Sequence, residues 1–239
     1  MIVDIMVSCT ADHVFPQTVN NMVHLLERLG DTPEYNTAQV CCGYPLYFGG
    51  YYDEARVIGE KFINTFSNQR PIIGLSTRCL GYIKCYYPNI FHNTSKHNEV
   101  PRILENIFDI TDYLVNFKKK LDLGATFAEK VYYHQSCAAK NLYGLQDEPI
   151  RLLEHVRDLE LVGHNMDVEC CGFGGNFSCT DPKESMRLTE LRVQKALECG
   201  ASYITSTEPT CLLQMQACIN QKQYPIQTIH IVDILARVE

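Results

Sequence analysis

Eight of the twelve cysteines in this 239-residue chain fall into a repeated frame. Cys41-Cys42-Gly43 and Cys170-Cys171-Gly172 are adjacent thiol pairs, each followed by a glycine, which suits a backbone that turns sharply beside them. A lone cysteine precedes each pair, Cys9 and Cys137, at nearly the same distance in the two halves. Another follows each pair at similar spacing, Cys79 and Cys211. Matching cysteines are offset by 128 (Cys9 to Cys137), 129 (Cys41 to Cys170) and 132 (Cys79 to Cys211). Near-constant offsets indicate an internal duplication, with one four-cysteine site in each half.

Four thiolates gathered at one place can hold a zinc ion or an iron–sulfur cluster. The chain has no Cys-x-x-Cys, so the tight knuckles of common zinc sites and the thioredoxin-like motif are missing. A cluster is larger than one ion and can be reached from separate loops, so the spacing favours an iron–sulfur cluster per half. Small buried apolar side chains are the plainer reading of a cysteine, but that does not explain eight in register. It does suit Cys85, Cys179, Cys199 and Cys218, which have no counterparts; it suits Cys179 least, since that residue lies eight residues after Cys171.

Other residues near the frame are candidates for lesser roles. Gly43, Gly172, Gly174 and Gly175 read as loops wrapping a cluster; Phe177 fills the third glycine position of a dinucleotide fingerprint, which excludes that motif. His134 is a candidate hydrogen-bond donor to a cluster sulfur, with core packing or capping as the alternative. Asp112 and Asp233 each follow a strand and read as helix N-caps. Tyr44, Tyr47, Tyr51 and Tyr52 could shield a cluster or simply pack in the core. No phosphate loop and no His-Glu-x-x-His occurs.

The elements that must position these residues alternate. Residues 2–8 read as a buried strand ending at Cys9, and 16–29 as an amphipathic helix between Pro16 and Gly30. A short strand should run into Val40, a helix over 51–66, and a strand over 71–76, with Cys79 opening the next helix. Residues 92–100 read as a loop, and 107–114 as a short strand entering a helix. The pattern restarts after Gly124. Residues 130–137 form a strand ending at Cys137, 149–161 a helix, 166–169 a short strand into Cys170, 182–198 a helix and 201–206 a strand. Thr210-Cys211-Leu212 then answers Arg78-Cys79-Leu80, and 229–235 answers 107–114. The expected fold is α/β, as two pseudo-symmetric βαβ-type halves, 1–124 and 125–239, each with a small parallel sheet flanked by helices. Every framed cysteine then follows a strand's C-terminal end, the edge where open α/β sheets bind ligands. Helix N-termini point there too, and their partial positive charge favours thiolates.

Composition is that of an ordinary folded chain, 46% hydrophobic and 21% charged. The formal charge is −7, and Lys118-Lys119-Lys120 is the only basic cluster, so nucleic-acid binding is disfavoured. The apolar start has no basic flank and reads as a strand rather than a signal peptide. No apolar run approaches the ~18 residues of a membrane span. A cytoplasmic setting, where cysteine clusters serve metals or redox chemistry, is the expectation.

The frame Cys…Cys-Cys-Gly…Cys, present twice, resembles the cysteine-rich (CCG) domain family. That family includes the cysteine-rich subunit of heterodisulfide reductase, the iron–sulfur subunits of glycolate oxidase and anaerobic glycerol-3-phosphate dehydrogenase, and the lactate-utilization proteins. A short chain made only of two such domains is most similar to the last. His134-Gln135-Ser136-Cys137, Cys170-Cys171-Gly172-Phe173-Gly174-Gly175-Asn176-Phe177-Ser178 and Thr210-Cys211-Leu212-Leu213 resemble the motifs of the family's second half. The resemblance implies an iron–sulfur redox subunit that works with an iron–sulfur partner and a third subunit in oxidising L-lactate to pyruvate. Its clusters, up to one [4Fe–4S] per half, would be held by Cys9, Cys41, Cys42 and Cys79, and by Cys137, Cys170, Cys171 and Cys211. The family's fullest motif carries a fifth cysteine three residues before the last. Ser76 and Glu208 stand there instead, which speaks against the five-thiolate cluster of heterodisulfide reductase. Thiol–disulfide redox chemistry, and electron transfer from glycolate or glycerol-3-phosphate, are the alternative functions, and a zinc-stabilised scaffold is the non-enzymatic one.

Overall fold

The computed structural model describes residues 1–165 and 169–238. The first half runs β1 (Ile2–Met6), α1 (Cys9–Val14), α2 (Pro16–Arg28), β2 (Thr32–Glu34), α3 (Tyr44–Phe48), α4 (Tyr52–Thr65), β3 (Ile72–Gly74), α5 (Thr77–Ile90), α6 (Val100–Asn106), β4 (Ile107–Asp109) and α7 (Ile110–Asp112). The second runs β5 (Lys130–Tyr133), α8 (Glu148–Leu153), β6 (Glu160–His164), α9 (Phe177–Thr180), α10 (Pro182–Glu198), β7 (Tyr203–Ser206), α11 (Pro209–Lys222), β8 (Gln227–His230) and α12 (Ile231–Leu235).

Each half builds one four-stranded parallel sheet, ordered β2-β1-β3-β4 and β6-β5-β7-β8. The chain is thus α/β with two similar halves. In both sheets the order reverses between the two central strands, β1 and β3 or β5 and β7. Such a switch point leaves a crevice at the C-terminal edge, because the flanking connections run to opposite sides.

The central strands are short apolar runs buried on both faces. Ile72 and Ile73 are fully buried, as is Val131. Amphipathic helices cover them: α2 buries Met22, Leu25 and Leu26, and α10 buries Val193 and Ala196. A continuous apolar core spans both halves, from Val3 and Ile73 through Tyr113 and Leu114 to Val131, Tyr133 and Ile231. Polar contacts reinforce the seam. Thr18 Oγ1 and Asn21 Nδ2 donate to Asp233 at 2.8 Å each, and Arg28 donates to the carbonyls of Leu123, Leu235 and Ala236. Gly81 is where α5 meets the π turn Ala139–Tyr143; a Cβ there would stand 2.6 Å from Leu142 Cβ.

Four sequence readings need correction. The helix expected over 149–161 ends at Leu153, and 160–164 is the strand β6. Asp158 takes a left-handed φ of 61° in the turn that leads into β6, with no glycine or proline to signal it. The second strand is Thr32–Glu34, well before Val40. The loop expected over 92–100 contains a 3₁₀ turn, His97–Glu99. Asp109 and His230, not Asp112 and Asp233, are the caps of α7 and α12. Asp112 instead accepts from the Tyr143 hydroxyl, and Asp233 holds α2. The strand expected over 166–169 falls largely outside the described residues.

Candidate metal centre

Each lone cysteine is set by a capped helix start. Ser8 Oγ accepts from Ala11 N and places Cys9; Ser136 Oγ accepts from Ala139 N and places Cys137. Ser76 Oγ accepts from Cys79 N at the start of α5, and Glu208 accepts from Thr210 N at the start of α11, which carries Cys211. These starts follow β1, β5, β3 and β7, the four central strands. The adjacent pairs arrive from the connections after β2 and β6. Gly43 (φ 92°) and Gly172 (φ 88°) turn the chain there, and their N–H groups donate to Cys41 Sγ at 3.5 Å and Cys170 Sγ at 3.3 Å. The turn matches in both halves and needs the left-handed region that glycine tolerates.

The eight framed cysteines therefore meet as two groups of four. In the first, the thiol of Cys9 hydrogen-bonds Cys41, Cys41 bonds Cys42, and Cys42 bonds Cys79. In the second, Cys137 bonds Cys170, while Cys171 Sγ and Cys211 Sγ lie 2.9 Å apart. None of the eight is in a disulfide. Within each contact one thiol yields its proton character to the other. Hydrogen bonds from Cys42 and Cys9 push Cys41 well below the usual thiol range, and the bond from Cys137 brings Cys170 down to about 6. Cys211, and then His134, lower Cys171 against its burial. The partners Cys9, Cys42, Cys137 and Cys211 are pushed up, first by those same bonds and then by burial. The thiolate is the metal-binding form; Cys41 in the first group and Cys170 and Cys171 in the second are shifted toward it, and metal binding would release the protons of the others.

The donor set fits a cluster or a soft ion: sulfur ligands, backbone N–H groups aimed at sulfur, and helix N-termini. His134 is 1% exposed, and a ring nitrogen lies with the sulfurs of Cys171 and Cys211 inside a 4.8 Å group. Its first-half counterpart, placed before Cys9 as His134 is before Cys137, is Met6. The glycines divide. Gly43 and Gly172 form the turns, Gly175 approaches the Tyr44 hydroxyl, and Gly174 packs beside Phe177. Tyr44 and Tyr47 join Phe48, Tyr82 and Tyr86 in an aromatic group beside the first site, while Tyr51 and Tyr52 are exposed. Cys85, Cys179 and Cys199 are exposed and Cys218 is buried, and none is part of the two thiol groups.

Sequence reasoning passed over the residues at the seam. Glu208 is fully buried and accepts from five groups: Ser76 Oγ, Thr77 Oγ1, Arg78 N, Thr210 N and Thr210 Oγ1. The two positions lacking a fifth cysteine thus hydrogen-bond each other across the pseudo-twofold axis. Arg78 Cζ lies over the rings of Tyr44 (5.5 Å) and Phe173 (5.0 Å), between the two sites. A charged pair at matching helix starts, Arg78 beside Cys79 and Glu208 before Cys211, was the available signal.

A family model described as a cysteine-rich domain (CCG) matches residues 3–84 and 131–216. The chain belongs to this family of paired cysteine-rich domains. Its curated relatives include the lactate utilization protein A of Oceanobacillus iheyensis, 33% identical over 98% of this chain and 96% of that protein. The protein of the same description from Geobacillus kaustophilus is 34% identical over 98% of each chain. A lactate utilization protein A 2 of Bacillus cereus is 27% identical over 99% of this chain and 98% of its own length.

Proposed function

We propose that this protein is the iron–sulfur subunit of a cytoplasmic, multi-subunit system that oxidises L-lactate to pyruvate. The convergence of eight duplicated cysteines into two four-thiol groups at sheet switch points supports this most strongly. The names and full-length match of the relatives supply the substrate class. Cys9, Cys41, Cys42 and Cys79 would hold one [4Fe–4S] cluster, and Cys137, Cys170, Cys171 and Cys211 the other; bound clusters supply one-electron carriers. Gly43 N and Gly172 N donate to the ligand sulfurs, His134 adds an imidazole at the second site, and α5 and α11 direct their N-termini at Cys79 and Cys211. Conversion of lactate to pyruvate releases two electrons and two protons, so a partner iron–sulfur subunit serves as the electron acceptor and a third subunit completes the system. Among the described residues no helix is long and apolar enough to cross a membrane.

A zinc reading is favoured by one observation, the compact His134, Cys171 and Cys211 group. Anaerobic purification with iron, sulfide and zinc analysis separates the two. Iron with matching sulfide and absorption near ~400 nm supports the clusters; zinc without colour supports the scaffold.

A further inference from the structure

The cavity beside the first thiol group has a volume of ≈ 220 Å³ and is lined from both halves, by Tyr44, Phe48 and Arg78 on one side and Phe173 and Asn176 on the other. Cys9, Cys41, Cys42 and Cys79 close one end. Arg78 is only 6% exposed, yet among the described residues its guanidinium has no hydrogen-bond or ion-pair partner. Its contacts are the two aromatic rings. Glu208 does not fill that role. Its two oxygens are already taken by five donors, of which Arg78 contributes only its backbone N–H. A guanidinium never loses its proton and offers five N–H donors, and here they face the cavity rather than a protein acceptor. The hydroxyl of Tyr44, beside the same cavity, also has no hydrogen-bond partner among the described residues.

We infer that Arg78 anchors a small organic carboxylate, a short-chain 2-hydroxy or 2-oxo acid, in the cavity between the two halves. The planar fork of a guanidinium matches the two oxygens of a carboxylate. The Tyr44 hydroxyl is placed to donate to a neighbouring hydroxyl or keto oxygen. Phe48 and Phe173 offer apolar walls for a short alkyl group. The ≈ 220 Å³ includes the cysteine-lined end, so the space left beside Arg78, Phe48 and Phe173 suits only a small ligand. The inference rests on the cluster reading only for what fills the cysteine-lined end of that space.

The test is calorimetric titration of the anaerobically isolated full chain with oxamate, a planar carboxylate that cannot be oxidised as lactate is, and with inorganic phosphate. Iron, sulfide and zinc are assayed on the same samples. Saturable one-to-one oxamate binding is expected, weakened about ten- to hundredfold in Arg78→Gln, as loss of charge-assisted hydrogen bonds predicts. Arg78→Lys, which keeps the charge and loses the fork, falls between, and Tyr44→Phe weakens binding less than Arg78→Gln. No oxamate binding, phosphate binding as tight as oxamate, or unchanged affinity in either Arg78 variant overturns the inference. In the first case Arg78 serves only as a counter-charge to the second half's thiolates. Metal content separates the two readings: oxamate binding through Arg78 with zinc present removes the cluster reading alone, and full iron without oxamate binding removes this one alone.

Discussion

The two halves share a strand order, a cysteine frame and a glycine turn, and they surround their thiols differently. The first site faces outward. Cys9 is exposed, Cys41 and Cys79 are partly so, and cavities of ≈ 220 and ≈ 130 Å³ open beside them. The second site is more enclosed, with Cys171 and Cys211 buried and His134 in place of Met6. Cluster potential depends on solvent exposure and on hydrogen bonds to sulfur. Duplication therefore supplied one scaffold and divergence gave it two environments. Under the proposed cluster reading, the first would suit exchange with a ligand or partner, and the second would suit storage of an electron away from water.

The comparison breaks most visibly at the cysteines. Cys42→Ala and Cys171→Ala should each remove about four irons and leave the other half's four in place; iron analysis with EPR checks this. If either variant lost all iron, the two sites would not be independent.

A smaller, asymmetric effect is expected at the paired turns. A Cβ on Gly172 would stand 2.1 Å from Ser185 O, whereas one on Gly43 would stand 3.2 Å from Ala55 O. Both have left-handed φ, so Gly43→Ala should cost about 1–2 kcal/mol and Gly172→Ala about 3 kcal/mol or more. Denaturant unfolding measures the difference, and equal costs would contradict the tighter second turn.

His134→Met should make the second site resemble the first. Losing a polar neighbour of Cys171 and Cys211 lowers that cluster's reduction potential and leaves the other's unchanged. An EPR-monitored redox titration reads both, and coincident shifts would show that His134 does not act locally.

The smallest effect concerns two equivalent helix caps that titrate in opposite directions. Asp109 is pushed up from 3.8 to about 7, mainly by burial, so its contribution to stability is present at low pH and lost as pH rises through 7. His230 is pushed below its ordinary 6.5, mainly by burial; its ring bonds Leu75 O and accepts from Val232 N as a neutral imidazole. Stability from His230 is therefore present above 6.5 and lost as pH falls below it. Asp109→Asn should remove the loss toward neutral pH and His230→Asn the loss on acidification, as unfolding midpoints across pH would show.

Much of this is legible because strand, serine and cysteine sit next to one another in the chain. The apolar runs before Ser8-Cys9 and Ser136-Cys137, and the helix from Pro182 to Glu198, carry local signals that tertiary contacts do not override. Thr32–Glu34 carries none: it is a three-residue edge strand containing Pro33, with an exposed threonine and glutamate. The helix after Pro149 reads too long because Val156, Leu159 and Leu161 continue an apolar rhythm through a turn made at Asp158. Arg78 and Glu208 stay hidden for another reason. They lie in different halves of the chain, and their roles exist only where the halves meet.

The most direct measurement is the iron and acid-labile sulfide content of the anaerobically purified chain. Two four-thiolate sites call for about eight irons with equal sulfide per chain and a brown absorption near ~400 nm. A colourless protein holding zinc, or fewer than about four irons per chain after reconstitution, would contradict the paired-cluster account.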